Sequence, residues 1–150
     1  MVRLLALPIF ALLASCASAS VGEGRVILPA SAAAAMLNQC SRPAPDAGEA
    51  TWQPSQNNID RLEAILPEAL AVAPEMRGTG TPNLKKWERQ YVGLVRDGRR
   101  FLYGNFFPAQ PQDSWRNAPM IVCDGGADFF GVEFDIGAGR ISHIAFNGSA

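Results

Sequence analysis

Residues 88–107 read ERQYVGLVRDGRRFLYGNFF, and this stretch decides the fold. Two β-prone runs, at 88–96 and 99–107, flank Asp97-Gly98. That dipeptide favours the type I′ turn of a hairpin because both central positions of the turn need positive φ. The pattern therefore predicts two long antiparallel strands joined by a tight turn.

A second hairpin is predicted closer to the C-terminus. Residues 129–135 and 140–146 are β-prone and are joined by a turn through 136–139. In the first of these runs, aromatic and Val side chains alternate with Gly and acidic ones, which is the period of a strand with one buried face. Between the two hairpins, residues 120–123 are predicted to form a short strand bounded by proline and glycine.

Two segments before the hairpins carry helix signals. Residues 30–39 are rich in Ala, with Ser31 at the N-cap position. From Ile59 to Leu70 apolar residues recur at helical spacing, which predicts one apolar stripe, while Pro67 inside it predicts a kink or a break. Helices followed by strands predict an α+β fold, with N-terminal helices packed on one face of a mainly antiparallel sheet of about five strands.

The composition excludes two classes of function. The 150 residues include 13 Lys and Arg, 14 Asp and Glu and 1 His, so the net charge is −1. A nucleic-acid-binding chain needs a basic excess to neutralise phosphates, and this chain has none. With 1 His and 3 Cys it also lacks the side chains for a multi-ligand zinc site, and we expect no metal and no cofactor.

The N-terminus has the layout of a bacterial export signal. Arg3 is the one charge in residues 1–15, and the apolar run at 4–14 is shorter than the roughly 20 residues that span a bilayer. The run ends in Leu13-Ala14-Ser15-Cys16, which resembles the lipobox of bacterial lipoproteins. That resemblance implies diacylglycerol on the Cys16 sulfur, removal of residues 1–15, and acylation of the new amino group by a fatty acid such as palmitate.

The residue after the lipobox bears on location. That residue is Ala17. In diderm bacteria an Asp at this position retains lipoproteins at the inner membrane. Because Asp is absent here, the resemblance implies that the protein is anchored in the outer membrane and faces the periplasm. The alternative is an ordinary secretory signal cleaved near 17–19, which leaves a secreted or soluble periplasmic protein. We therefore expect a signal peptide at 1–15, a flexible tether at 16–30 and a single domain at 31–150.

Cys40 and Cys123 remain once Cys16 is assigned to lipid. In an oxidising envelope compartment an even pair favours one disulfide, which would close a long loop. Two buried free thiols are the alternative.

His143 is the single histidine and the obvious candidate for a catalytic base. Ser142 precedes it on a predicted strand, so the two side chains should point to opposite faces and cannot pair. An enzyme would have to combine His143 with Asp124 and Asp128, but no activated nucleophile accompanies them, and we expect a protein that is not an enzyme. The stretch from Cys123 to Asp128 could offer oxygen ligands to Ca²⁺, although its spacing favours a tight turn instead.

Basic residues cluster around the first hairpin: Lys85, Lys86, Arg89, Arg96, Arg99 and Arg100. In one interpretation they pair with the acidic residues of the second hairpin and form solvated surface. In the other they steer an acidic partner, such as a peptidoglycan carboxylate, a lipid A phosphate or an acidic protein, with Arg99 and Arg100 as contacts. Trp115, in a loop rich in Pro and Gln, is a candidate binding anchor, with burial in the core as its alternative.

Together these features predict a lipid-anchored envelope protein that acts as a binding or interaction module. The mature region resembles small bacterial envelope proteins of unassigned function, a likeness carried by Trp52-x-Pro-Ser and by Val-Cys-Asp-Gly-Gly at 122–126. A sharper version is an inhibitor or immunity lipoprotein that inserts the loop between the hairpins, or residues 124–128, into the cleft of a cell-wall hydrolase. The competing class is an envelope enzyme using Asp124, Asp128 and His143.

Overall fold

The computed structural model describes residues 18–78 and 82–149. Its strands are β1 (Ala19–Ser20), β2 (Arg25–Ile27), β3 (Ala50–Trp52), β4 (Trp87–Arg96), β5 (Arg99–Pro108), β6 (Phe130–Asp135) and β7 (Arg140–Phe146). Its α-helices are α1 (Ala33–Leu37) and α2 (Gln56–Ala71). The strands form one mixed seven-stranded sheet in the order β1-β2-β4-β5-β6-β7, with β3 also beside β4. The predicted α+β class is confirmed.

The hairpin predicted at 88–107 is present as β4 and β5. The two 10-residue strands pair antiparallel along their whole length. Asp97 and Gly98 have φ of 50° and 69°, the left-handed conformation that a type I′ turn requires at both central positions. The second predicted hairpin is likewise present as β6 and β7.

Two short strands share the outer edge of β4, and one of them makes the sheet mixed, although the other strand pairings of the sheet are antiparallel as predicted. β2 runs parallel to the first half of β4, with Arg25 opposite Arg89. β3 runs antiparallel to the second half, with Trp52 opposite Gly93. A Cβ on residue 93 would lie 2.3 Å from the Trp52 carbonyl oxygen, so only glycine allows β3 to approach this closely.

The N-terminal segment differs from the flexible tether predicted at 16–30. From Ala19 onward it forms β1 and β2 and joins the sheet. The reason is burial, because Val26, Ile27 and Leu28 are at most 3% exposed and pack into the two cores. The domain therefore includes residues that the sequence pattern assigned to a linker.

The strand predicted at 120–123 does not form. The segment is held by hydrogen bonds from two amide side chains next to it, and not by pairing with a neighbouring strand. Asn105 Nδ2 donates to the Met120 carbonyl at 2.8 Å, and Asn147 Nδ2 donates to the Val122 carbonyl at 2.7 Å. The predicted disulfide between Cys40 and Cys123 is present at the end of the segment and spans 83 residues of sequence.

Both faces of the sheet are covered, whereas the helices were predicted to share one face. α2 packs on one face through Ile59, Leu62, Leu66 and Leu70, all fully buried. α1 packs on the other face, in a second core that also contains Trp115. The physical reason is that β4 and β5 carry apolar side chains in both directions, so each face needs its own cover.

Ser55 caps α2, and its N–H donates to Asn58 Oδ1 at 2.8 Å. The helix then runs through Pro67 without the predicted break. Leu66 and Leu70, on either side of the proline, are both fully buried. Burial of these side chains offsets the backbone hydrogen bond that proline cannot donate.

Candidate binding cleft

A cleft of about 710 Å³ opens at the end of the sheet where β2 and β4 begin. Glu23 and Gly24, in the turn before β2, line it together with Glu63 and Pro67 of α2 and the 3₁₀ turn Leu84–Lys86 before β4. Sites for small ligands measure roughly 300–1,000 Å³. The cleft is therefore large enough for a small molecule or several residues of a peptide.

Glu63 lies on the floor of the cleft, at the centre of a polar network. Its Oε1 accepts from the Tyr91 hydroxyl at 2.5 Å and from Arg89 Nη1 at 3.3 Å. Its Oε2 lies 3.3 Å from Arg25 Nη1. Burial raises the pKa of Tyr91 well above its ordinary value, so the hydroxyl remains a donor. Two guanidinium groups thus neutralise the Glu63 carboxylate.

Arg89 links the turn at Glu23 and Gly24, which forms one wall of the cleft, to Glu63 on the floor. Its Nη2 donates to the Glu23 carbonyl at 2.9 Å, and its Nε donates to the Gly24 carbonyl at 3.3 Å. Its side chain is 6% exposed, so these contacts lie largely out of water. The floor is a fixed scaffold that ties the turn before β2 to α2 and β4.

The rim of the cleft carries two cations that the described chain does not neutralise. Lys85 and Lys86 follow Asn83, whose side chain accepts the Lys85 N–H at 3.1 Å and caps the 3₁₀ turn. Both lysines are exposed. Within residues 18–78 and 82–149, neither ammonium group has a hydrogen bond or an ion pair.

Two more charged residues line the cleft. Glu88 is half-buried and accepts the Gln110 N–H at 3.0 Å. Its partial burial raises the pKa of its carboxyl above the ordinary value. Arg116 donates to Asp113 at 3.1 Å in an exposed pair, which contributes little to stability.

The basic residues predicted as one cluster are divided between the two ends of the sheet. Lys85 and Lys86 precede β4, whereas Arg96 and Arg99 flank the turn at its far end. Arg96 pairs with Glu133 at 2.5 Å, and Arg99 pairs with the buried Asp135. The predicted pairing between hairpins therefore holds for these two arginines and does not reach the lysines.

Arg100 lies over the ring of Trp52, with its guanidinium carbon 5.2 Å from the ring centroid. Arg99 and Arg100 also line a shallower hollow of about 560 Å³ between the turns of the two hairpins. The candidate contacts Arg99 and Arg100 are thus exposed, at the end of the sheet away from the cleft.

Asp124 and Asp128 belong to an exposed turn. Asp124, Gly125 and Gly126 have φ of 70°, 90° and 65°. The Gly126 N–H donates to the Gly148 carbonyl at 3.0 Å and closes the turn. The interpretation as a tight turn accounts for this stretch. In the part of the chain that the structure describes, no three His, Cys, Asp or Glu side chains lie together as a metal site would need.

The residues of the competing enzyme hypothesis are not assembled. His143 Nε2 lies 3.2 Å from the Pro43 carbonyl oxygen. Ser142 Oγ donates to Glu133 Oε1 at 2.7 Å. The hydrogen bonds of His143 and Ser142 thus go to a neighbouring loop and a neighbouring strand, and none of them joins either residue to Asp124 or Asp128.

Trp115 is a core residue and not an exposed anchor. It is 1% exposed and packs edge-on against Phe107, with ring centroids 5.7 Å apart. The loop that contains it folds back on the second face of the sheet, where Gln90 Nε2 donates to the Trp115 carbonyl. The prediction of an accessible binding side chain at this position is therefore wrong.

Sequence reasoning missed the network around Glu63. One signal for it was available, because Glu63 is four residues after Ile59 and three before Leu66, at the border of the apolar stripe. A carboxylate there faces the sheet and needs a cationic partner. The identity of those partners, Arg25 and Arg89, depends on the parallel pairing of β2 with β4, which no local pattern indicates.

Comparison with known proteins found no match for this chain among family models, curated proteins or solved structures. Among the helices within 18–78 and 82–149, none is long and apolar enough to cross a membrane. The predicted signal peptide at 1–15 and the lipidation site Cys16 lie outside the described residues.

Proposed function

We propose that this protein is a lipid-anchored envelope lipoprotein that acts as a non-enzymatic interaction module, with the cleft at the start of β2 and β4 as its contact surface. The observation that carries the proposal is the contrast within that cleft. Its floor is a network of mutually satisfied charges, while Lys85 and Lys86 on its rim have no partner in the described chain. A rigid floor with free charge at the rim suits binding, because little has to reorganise when a partner arrives.

The lipid anchor rests on the lipobox that ends at Cys16, three residues before Ala19. An extended chain spans at most about 3.6 Å per residue, so a lipid on Cys16 would hold the β1 edge within about 11 Å of the bilayer. β1 leads into the turn that contains Glu23 and Gly24. In this arrangement the anchor would hold the cleft close to the membrane surface, because Glu23 is only seven residues after Cys16.

The polar groups of the cleft favour binding over catalysis. Among these groups, Glu63 is poorly suited to act as a general base, because it already accepts hydrogen bonds from Tyr91, Arg25 and Arg89. An inhibitor or immunity protein directed at a cell-wall hydrolase is a sharper form of the same proposal, and it keeps residues 124–128 as a loop that could insert. An enzyme built on Asp124, Asp128 and His143 is the alternative, which predicts turnover on cell-wall or ester substrates.

Two experiments on the full chain test the proposal. In the first, Cys16→Ser should move the protein from the membrane fraction to a soluble or uncleaved form. Unchanged fractionation would contradict the proposal that Cys16 carries a lipid. In the second, a photo-crosslinking amino acid replaces Glu23 inside the cleft or Ala138 at the far end of the sheet. We expect one dominant protein adduct from position 23 in intact cells and none from position 138. The reverse pattern would place the contact surface elsewhere.

A further inference from the structure

We propose that the cleft binds an acidic, extended segment of a partner protein, with Lys85 and Lys86 contacting its carboxylates. This inference rests on the proposed function and names the chemistry of the partner. Its support comes from the charge, the size and the mixed polarity of the cleft.

The charges that line the cleft are only partly paired with one another. Its lining contains the cations Arg25, Lys85, Lys86, Arg89 and Arg116 and the carboxylates Glu23, Glu63 and Glu88. Arg25 pairs with Asp60 and Glu63, Arg89 pairs with Glu63, and Arg116 pairs with Asp113. The charges that remain without an ion pair in the described chain are the carboxylates Glu23 and Glu88 and two adjacent lysines on the rim. The positive potential is therefore confined to the part of the rim that carries Lys85 and Lys86, where an acidic group would be attracted.

The size of the cleft argues against a single small anion as its ligand. A volume of about 710 Å³ is far larger than one carboxylate or phosphate would fill. A strand-like segment advances about 3.3 Å per residue, so the lysines and the more distant parts of the lining can be contacted by successive residues of one chain. A flexible ammonium group suits such a ligand because it can follow a carboxylate on a mobile side chain.

Glu88 distinguishes an acidic peptide from a phosphate-rich surface. It is a half-buried carboxylate in the lining, and its Oε2 accepts the Gln110 N–H at 3.0 Å. A carboxylate has further lone pairs that a peptide N–H can satisfy. A phosphate cluster offers no donor of this kind and would be repelled. A segment that carries both backbone donors and acidic side chains matches the two signs of charge in the cleft.

The direct test is fluorescence anisotropy of the full-length protein in detergent, with two labelled peptides as probes. One peptide contains several Glu separated by Ser, and the other has Gln in place of every Glu. We expect the Glu peptide to bind at least tenfold more tightly, and this preference to shrink as salt rises from about 0.05 to about 0.5 M. Lys85→Gln combined with Lys86→Gln should weaken binding about tenfold.

The matched control replaces two exposed arginines at the far end of the sheet, Arg100→Gln and Arg140→Gln, and should leave binding of the Glu peptide unchanged within about twofold. Equal affinity for both peptides, or loss of binding in the arginine control alone, overturns the proposal. A third arm uses vesicles rich in phosphatidylglycerol or lipid A. Lysine-dependent vesicle binding without peptide binding also overturns it, in favour of a lipid headgroup.

Failure of this inference can be told apart from failure of the proposed function. If Glu23 still gives a crosslinked protein in cells while the Glu peptide does not bind, the cleft is an interaction surface of different chemistry. If neither experiment gives a signal, the interaction module itself is wrong.

Discussion

The hydroxyl of Tyr91 donates a 2.5 Å hydrogen bond to Glu63 Oε1 and so joins the centre of the sheet to helix α2. Tyr91 is fully buried, and the carboxylate that it contacts also neutralises Arg25 and Arg89. Removing the carboxylate leaves the buried Arg89 without its counter-charge, while Arg25 keeps its ion pair with Asp60 at 2.9 Å. Removing the hydroxyl leaves all charges paired. The two changes should therefore have different costs.

We predict that Glu63→Gln lowers the free energy of unfolding by about 3 kcal/mol, because it leaves a buried guanidinium without its counter-charge. Tyr91→Phe should cost only about 1 kcal/mol, the contribution of one hydrogen bond. Glu68→Gln, on the exposed side of the same helix, is the matched control and should change stability by less than about 0.5 kcal/mol. Urea unfolding followed by tryptophan fluorescence measures all three, and equal effects at Glu63 and Glu68 would show that the network has no energetic role.

The disulfide between Cys40 and Cys123 closes a loop with a sequence separation of 83 residues. On the chain-entropy description, replacing both cysteines by Ala should destabilise the domain by about 4 kcal/mol. Reduction of the wild-type protein should reproduce that loss. A difference below about 1 kcal/mol between oxidised protein and double variant would mean that the side-chain amides at 105 and 147 already hold the segment.

Acid stability should depend on Asp135. The Ala138 N–H, followed by the Arg99 guanidinium and the Gly137 N–H, lowers the pKa of this carboxyl below its ordinary value. A carboxyl whose pKa is lowered by folding contributes stability that is full above its unfolded pKa and is lost as pH falls through its folded pKa. Wild-type protein should therefore lose more stability between about pH 6 and about pH 2 than Asp135→Asn does.

The control for that experiment is Asp128→Asn, since the exposed Asp128 side chain forms no hydrogen bond or ion pair within the described part of the chain. It should lose stability with acid as steeply as wild type. If Asp135→Asn also follows the wild-type slope, the contacts of Asp135 do not couple folding to protons.

Trp115→Ala should behave as a core mutation. The side chain is 1% exposed, so truncation leaves a cavity and should cost roughly 3–5 kcal/mol. Trp115→Phe removes the indole N–H but retains most of the packing, so its cost should stay below about 1.5 kcal/mol. Thermal unfolding measures both. A stable Ala variant with lost partner binding would restore the interpretation of Trp115 as an anchor.

Local chemistry explains which parts of the fold the sequence predicts well. The turn at Asp97-Gly98 and the cap at Ser55 are properties of a few neighbouring residues, so the first hairpin and α2 were predictable. The disulfide between Cys40 and Cys123 was predictable from the even number of cysteines beyond Cys16 and from the export signal that the sequence predicts. In each of these cases, the feature can be predicted from the identity of the residues that form it, without knowledge of contacts between distant segments.

The missed features depend on contacts between distant segments. β2 has only 3 residues, and its strand character comes from parallel pairing with β4, some 60 residues later. Trp115 follows a stretch of Pro and Gln that suggests exposure, and its burial results from packing on Phe107. Lys85 and Arg99 belong to one basic run in sequence, yet a 10-residue strand carries them to opposite ends of the sheet.

The most direct test of the central claim is an amide chemical-shift map of the isotope-labelled protein in detergent, titrated with the Glu-containing peptide. We predict that the shifting amides concentrate in two stretches that line the cleft, at 23–25 and 83–89, while those at 98–100 and 136–138 stay in place. Shifts confined to the far end of the sheet, or no shifts at saturating peptide, would contradict the assignment of the cleft as the binding site.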